Sequence, residues 1–233
     1  TGAAFSSNYA DSSNWTIFGV HFALHESPRM KAEAFDPNIN RTLKWSLGAE
    51  TFEDLMAAYA DIRANRVPEI VQFGSGALSM LDPTNSPPGK HITYAWHVMP
   101  YDPDLGGQDY EEFKKEFTQK IIDVFARYAP NMTRKNIIAQ YVYTAQEYTQ
   151  TFPEMRNGDI FMGSFGADQV MYNHFGYRTP INGLYMAGSA AHPGGAISGG
   201  SGYISAGIIA RDLGLKPWWQ PWDAREALSR VTD

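Results

Sequence analysis

Bulky apolar residues run almost unbroken through Trp15–Leu24 (WTIFGVHFAL), a stretch whose length and composition predict a strand. Between 51 and 65 the pattern changes. Phe52, Leu55, Met56, Tyr59 and Ile62 recur at helical spacing, with Thr51 placed to cap the helix and Asp54 three residues on to complete a capping box. Short apolar pieces at 70–73 and 77–81 read as strands, and HITYAWHVMP (91–100) reads as a longer one. The strongest helical signal lies at 110–128, where Phe113, Phe117, Ile121, Val124, Phe125 and Tyr128 share one face and charges hold the other. Residues 136–143 predict a strand, 144–151 a short helix, and 158–165 and 184–187 two further strands. A helix at 203–213 is followed by the tryptophan-rich tail KPWWQPW.

These elements describe an α+β or α/β protein: strands for one mixed sheet, two long helices, and a separate C-terminal strand, glycine loop and helix. Residues 1–14 are small and polar and read as a loosely held arm, and 26–40 as an irregular segment. No repeat or heptad pattern is present.

The 233 residues are 43% hydrophobic and 19% charged, enough apolar material for a sizeable core. A net charge of −6 without long Lys/Arg runs excludes an electrostatic footprint for nucleic acid and does not indicate an anionic membrane surface. No apolar run reaches the ~18 residues of a span. The absence of cysteine removes disulfides, thiolate nucleophiles and thiolate metal sites, and fits cytosol and periplasm alike; without a signal-like segment the expected location is cytoplasmic. The start at Thr1-Gly2, lacking Met, reads as a processed product or a fragment.

The chemistry concentrates in AGSAAHPGGAISGGSG (187–202), where six of sixteen residues are glycine. A glycine turn between a strand and a helix lets backbone approach a ligand closely, and the free first-turn N–H groups of the helix attract an anionic or electron-rich group such as a diphosphate or a flavin carbonyl. The spacing is neither a P-loop nor a GxGxxG at the end of a first strand.

The run GLYMAGSAAHPGGAISGGSGYISAGIIARDL (183–213) resembles the C-terminal flavin-binding signature of the phytoene dehydrogenase-like (carotenoid desaturase and isomerase) flavoproteins. The resemblance is closest to the pyridine nucleotide-disulphide oxidoreductase domain-containing 2 branch, and extends to SPPGKHITYAWHVMPYD (86–102), DVFARYAPN (123–131) and NGDIFMGSFGADQVMYN (157–173). It implies the C-terminal portion of a two-domain FAD flavoprotein. Residues 1–160 would form a mixed-sheet substrate domain, 161–215 would return to the Rossmann-type FAD domain as its last strand and helix, and 216–233 would be a tail. It also implies flavin contacts by Gly188, Ser189, His192, Pro193, Gly194, Gly195, Ile197, Ser198 and Gly199. The activity implied is that of an FAD-dependent dehydrogenase or oxidase, with hydride transfer from an activated substrate C–H bond or C–H/N–H pair to flavin N5. The family's opening GxGxxG unit is missing here: either truncation or cleavage of a single precursor has removed it, or a second polypeptide supplies the dinucleotide-binding fold, the reading we favour. The substrate expected is a small apolar or cyclic molecule.

His192 sits in the turn beside the expected flavin, either as a proton donor or acceptor or as a brace for the loop. Tyr172 and His174, in the stretch GADQVMYNHFGYR with Asp168 and Asn173, are the other catalytic candidates, with structural hydrogen bonding as the alternative role. No metal site is expected. His21 and His25 have no third ligand at metal spacing, and His91 and His97, on one strand face without carboxylate or Cys company, read as core or interface packing residues. Two readings from other classes stand beside the oxidoreductase: a non-catalytic binding or regulatory subunit, and an N-terminal hydrolase that uses Thr1 as nucleophile.

Overall fold

The computed structural model describes residues 15–159, 175–194 and 199–220, together with positions 223, 225 and 229. The described residues fall in two compact units divided after residue 160.

The larger unit is a five-stranded sheet covered on one face by a long helix. The strands are β1 (Trp15–Leu24), β2 (Trp45–Leu47), β3 (Phe73–Ser75), β4 (His91–Pro100) and β5 (Ile137–Tyr143), in the spatial order β2-β3-β4-β1-β5. Every neighbouring pair is antiparallel, so the sheet is not mixed. The reason lies in the connection between β4 and β5. Its helix carries the chain back so that β5 runs parallel to β4, but β1 occupies the place between them and pairs antiparallel with both.

That helix, α3, spans Tyr110–Tyr128; the preceding helices are α1 (Phe52–Arg63) and α2 (Leu78–Leu81), and α4 follows at Ala145–Thr151. Asp109 caps α3 by accepting from the Glu112 N–H at 3.0 Å, and Glu111, Glu112 and Arg127 sit at the ends that the helix dipole favours. Its buried face, Phe113, Phe117, Ile121 and Phe125, lies on Phe18, Val20, Phe22 and Leu24 of β1 and on Phe73 of β3. Phe18 meets Phe117 edge-on with ring centres 5.1 Å apart, and Phe73 meets Phe125 at 5.5 Å.

Elsewhere the sequence pattern and the structure differ. Residues 77–81 are not a strand: Gly76 lies so close to the carbonyl of Leu43 that a Cβ would stand 2.1 Å from it, and the chain then turns into the single helical turn of α2. The neighbouring strand begins only at Phe73. α1 forms where the periodicity places it, with both arms of the Thr51/Asp54 capping box made, at 3.1 and 3.0 Å. Its apolar face, however, is open: Leu55, Met56 and Tyr59 are exposed and Phe52 is 70% exposed. α4 carries a second capping box, in which Glu147 accepts from the Thr144 N–H at 2.8 Å and pairs with Lys114 of α3 at 2.6 Å.

The smaller unit holds α5 (Gly200–Asp212), which begins three residues before the apolar pattern does. Residues 184–187 are not a strand; Tyr185 makes one antiparallel bridge with Arg178. Of the segment 158–165, Gly158 closes a 3-10 turn, and 160–165 lie outside the described residues.

Candidate functional site

The glycine segment occupies the smaller unit. Met186 N–H donates to the Tyr177 carbonyl at 2.7 Å and Thr179 N–H to the Leu184 carbonyl at 3.3 Å, folding 177–186 into a hairpin-like turn. Arg178 clasps Asp212 at the end of α5 with two bonds of 2.7 and 2.6 Å, and the Tyr185 hydroxyl adds a third at 3.0 Å. The Arg178 guanidinium beside it holds the Asp212 carboxyl below its usual range.

From Gly188 the chain makes two tight turns. Ala191 N–H donates to the Gly188 carbonyl at 3.1 Å and Gly194 N–H to the Ala191 carbonyl at 2.8 Å. Gly188 N–H in turn donates to Ser201 Oγ at 3.1 Å, tying the start of the glycine segment to the first turn of α5. Gly188, Gly194 and Gly199 all have left-handed φ, at 86°, 99° and 66°. Gly199 is the N-cap of α5 and has no side chain to offer the helix's first N–H groups.

Two kinds of glycine are present. At Gly48 an added Cβ would stand 2.0 Å from the Val71 carbonyl oxygen, so backbone packing excludes a side chain there. At Gly188, Gly199 and Gly202 an added Cβ meets nothing within 4 Å among the described residues. At Gly202, a helical position without left-handed φ, neither packing among the described residues nor backbone conformation demands glycine. Bare backbone at a helix start whose N-cap carries no side chain, with no described atom close to Gly199 or Gly202, has the chemistry to receive a flat, electron-rich or anionic group.

The structure gathers Gly188, Ser189, His192, Pro193, Gly194 and Gly199 into this one unit; Gly195, Ile197, Ser198, Tyr172 and His174 lie outside the described residues. The His192 carbonyl accepts from the Tyr177 hydroxyl, and the residue is exposed. Beside this helix runs a second feature, which takes in part of the tryptophan-rich tail noted in the sequence. Tyr203, Ile204, Ile208, Leu215 and Trp219, flanked by Arg178 and Arg211, line a hollow of about 620 Å³. Leu213 is exposed and Trp218 is 92% exposed.

In the larger unit, the sheet face opposite α3 forms a hollow of about 670 Å³ that includes His21, Ile92, Tyr94, Trp96 and Tyr141. Register explains the grouping. His21, on the central strand, stands opposite Tyr94 on one side and Tyr141 on the other. The signal for it was present: β1 and β4 are apolar on both faces, the pattern of strands covered on both sides. Burial pushes the His21 pKa below its ordinary value. The other strand histidines pack: His97 is buried against Phe117, and His91 Nδ1 lies 3.1 Å from Ser79 Oγ. Among the described residues no three metal-ligating side chains cluster, and no helix is long and apolar enough to cross a membrane.

No protein-family profile matches the chain. Over 220 residues, 88% of its length, it is 29% identical to a limonene dehydrogenase subunit of Castellaniella defragrans and covers 40% of that protein. Over 141 residues, 58% of its length, it is 35% identical to pyridine nucleotide-disulfide oxidoreductase domain-containing protein 2 of Mus musculus, covering 24% of it. The Rattus norvegicus protein of that name is 36% identical over 142 residues, with the same coverage. The chain spans less than half the length of these curated relatives. Their names share oxidoreductase chemistry, the first as one polypeptide of a dehydrogenase.

Proposed function

We propose that the chain is the substrate-binding and flavin-covering portion of an FAD-dependent oxidoreductase of the phytoene dehydrogenase-like type. The observation that carries this reading is Gly202: a glycine in a helix's first turn at which, among the described residues, neither a neighbouring atom nor the backbone conformation requires the missing side chain. The relatives' names support the redox class, and the similarity to a limonene dehydrogenase subunit supports an assembly of more than one polypeptide.

When bound, the flavin supplies a hydride acceptor for an activated substrate C–H bond. Gly188, Gly199 and Gly202 would admit it to the backbone, together with Ser189, Pro193 and Gly194 and with Gly195, Ile197 and Ser198 in the same segment. The first turn of α5 contributes N–H groups and the positive end of the helix dipole, which favour an electron-rich edge. The Tyr177 bond to the His192 carbonyl holds the turn, leaving the imidazole at the surface to exchange protons. Tyr172 and His174 belong to the same proposal as substrate-facing groups. Residues 1–160 are the substrate part, 161–215 the flavin part and 216–233 a tail. The apolar side of α5 and the exposed Leu213, Leu215 and Trp218 suit burial against the polypeptide that carries the dinucleotide-binding fold.

The test is to purify the chain with that polypeptide and read the visible absorbance of bound flavin. Retained flavin that Gly199→Val abolishes is the expected result. A colourless complex, or one whose flavin content Gly199→Val leaves intact, overturns the reading.

A further inference from the structure

We propose that the open face of the sheet in the larger unit is a binding wall for a neutral, largely apolar molecule whose oxygen function hydrogen-bonds to His21. Calling that molecule the substrate rests on the oxidoreductase reading above; the wall itself does not.

The face is built as a site. Strand alternation places Gly19, His21 and Ala23 of β1 beside Ile92, Tyr94 and Trp96 of β4 on the side away from α3. A sheet face left in water ordinarily alternates to polar and charged side chains. Here Trp96 is 43% exposed and Tyr141 60% exposed, and among the described residues no lining side chain carries a fixed charge. The rings contact one another, Tyr94 against Trp96 at 4.9 Å and His21 edge-on to Trp96 at 6.4 Å, so the wall is preformed. Gly19 pairs with Trp96, and the position of a Cβ there lies 3.6 Å from the indole, so the ring lies over the central strand.

Charge and size select the occupant. A hollow of about 670 Å³ lies within the range of small-molecule sites, roughly 300–1,000 Å³. With no fixed cation or anion among the described lining residues, a charged ligand would lose its hydration without gaining a partner there. A neutral imidazole has one donor and one acceptor nitrogen and therefore matches a hydroxyl or carbonyl. Burial lowers the His21 pKa and keeps the ring neutral near pH 7.

The experiment is a titration of the purified chain, without flavin, with 4-tert-butylcyclohexanol, tert-butylcyclohexane and 4-tert-butylcyclohexanecarboxylate. It is followed by NMR of the histidine rings and backbone amides. The alcohol should shift signals of His21, Tyr94, Trp96 and Tyr141 and leave those of α3 unmoved, with the carboxylate binding at least about tenfold more weakly. His21→Phe, which keeps the wall apolar, should weaken the alcohol by about tenfold and leave the hydrocarbon unchanged. Equal binding of alcohol and carboxylate overturns the proposal. So does an unchanged alcohol affinity in His21→Phe, or a face that is closed to all three probes because a second copy of the chain covers it. Because no flavin is present, failure of the flavin reading leaves these results standing, and failure here leaves the flavin reading standing.

Discussion

The backbone N–H of Gly188 donates to the side-chain oxygen of Ser201 across 3.1 Å, joining two points thirteen residues apart around the glycine segment. That bond fixes the separation between the start of the loop and the start of α5. Ser201→Ala removes the acceptor and leaves the Gly188 N–H without its partner, at an expected cost of about 1 kcal/mol. Hydrogen exchange at Gly188 should quicken while the sheet amides keep their protection. Unchanged exchange at Gly188 would show that the tie does not hold the loop.

Gly202→Ala separates packing from ligand binding at one position. An alanine there meets no described atom within 4 Å and suits a helix better than glycine does, by about 0.5–1 kcal/mol. The variant should therefore unfold at slightly higher denaturant concentration and yet retain less flavin in the assembled complex. Loss of both stability and flavin would mean that Gly202 serves packing.

Two phenylalanines on the two long helices should behave oppositely. Phe117 of α3 is buried between His97 and Phe18, and Phe117→Ala should cost about 3–5 kcal/mol through the cavity it leaves. Phe52 opens α1 and faces water, so Phe52→Ala should change the stability of the isolated chain by no more than about 0.5 kcal/mol. Urea unfolding of the two variants checks the contrast; a large loss with Phe52→Ala would place a contact on that face of α1.

Those two helices also show what the sequence carries and what it omits. Periodicity located both, and for α3 it named the buried face, because the hydrophobic stripe there lies against the sheet. For α1 the same signal found the stripe but not what covers it, since amphipathicity records a preference and not a neighbour. β1 and β4 were legible as strands, yet their adjacency, across some seventy intervening residues, has no local signature, and with it went the antiparallel order of the sheet. At 77–81 a five-residue apolar run was too short to tell strand from helix, and the close approach of Gly76 to the Leu43 carbonyl decided it. The glycine segment was legible because its composition departs from any packing need. The sheet face was missed because its evidence is spread over three strands, one residue at a time. Only register brings His21, Tyr94 and Tyr141 together.

His97 makes stability depend on pH. Its Nδ1 lies 2.6 Å from the Gln72 carbonyl and must carry the proton that bonds to it, while Nε2 has no partner among the described residues. Burial against Phe117 lowers its pKa from the ordinary value of 6.5 to about 4, despite the opposing effect of the Gln72 carbonyl. The unfolded chain therefore takes up a proton at this position below about pH 6.5, and the folded chain does so only below about pH 4. Between those limits the unfolded state binds more protons, so stability falls as pH falls. The loss from this group is about 2 kcal/mol at pH 5 relative to pH 7, and about 3 kcal/mol once pH 4 is passed. Above pH 6.5 its contribution is complete and flat. Urea unfolding at pH 7, 6 and 5 should follow that slope in the wild-type chain. In His97→Leu, which keeps the space filled with an apolar side chain, the slope should be shallower by this amount. A wild-type and variant that lose stability in parallel over that range would show that His97 does not titrate on unfolding.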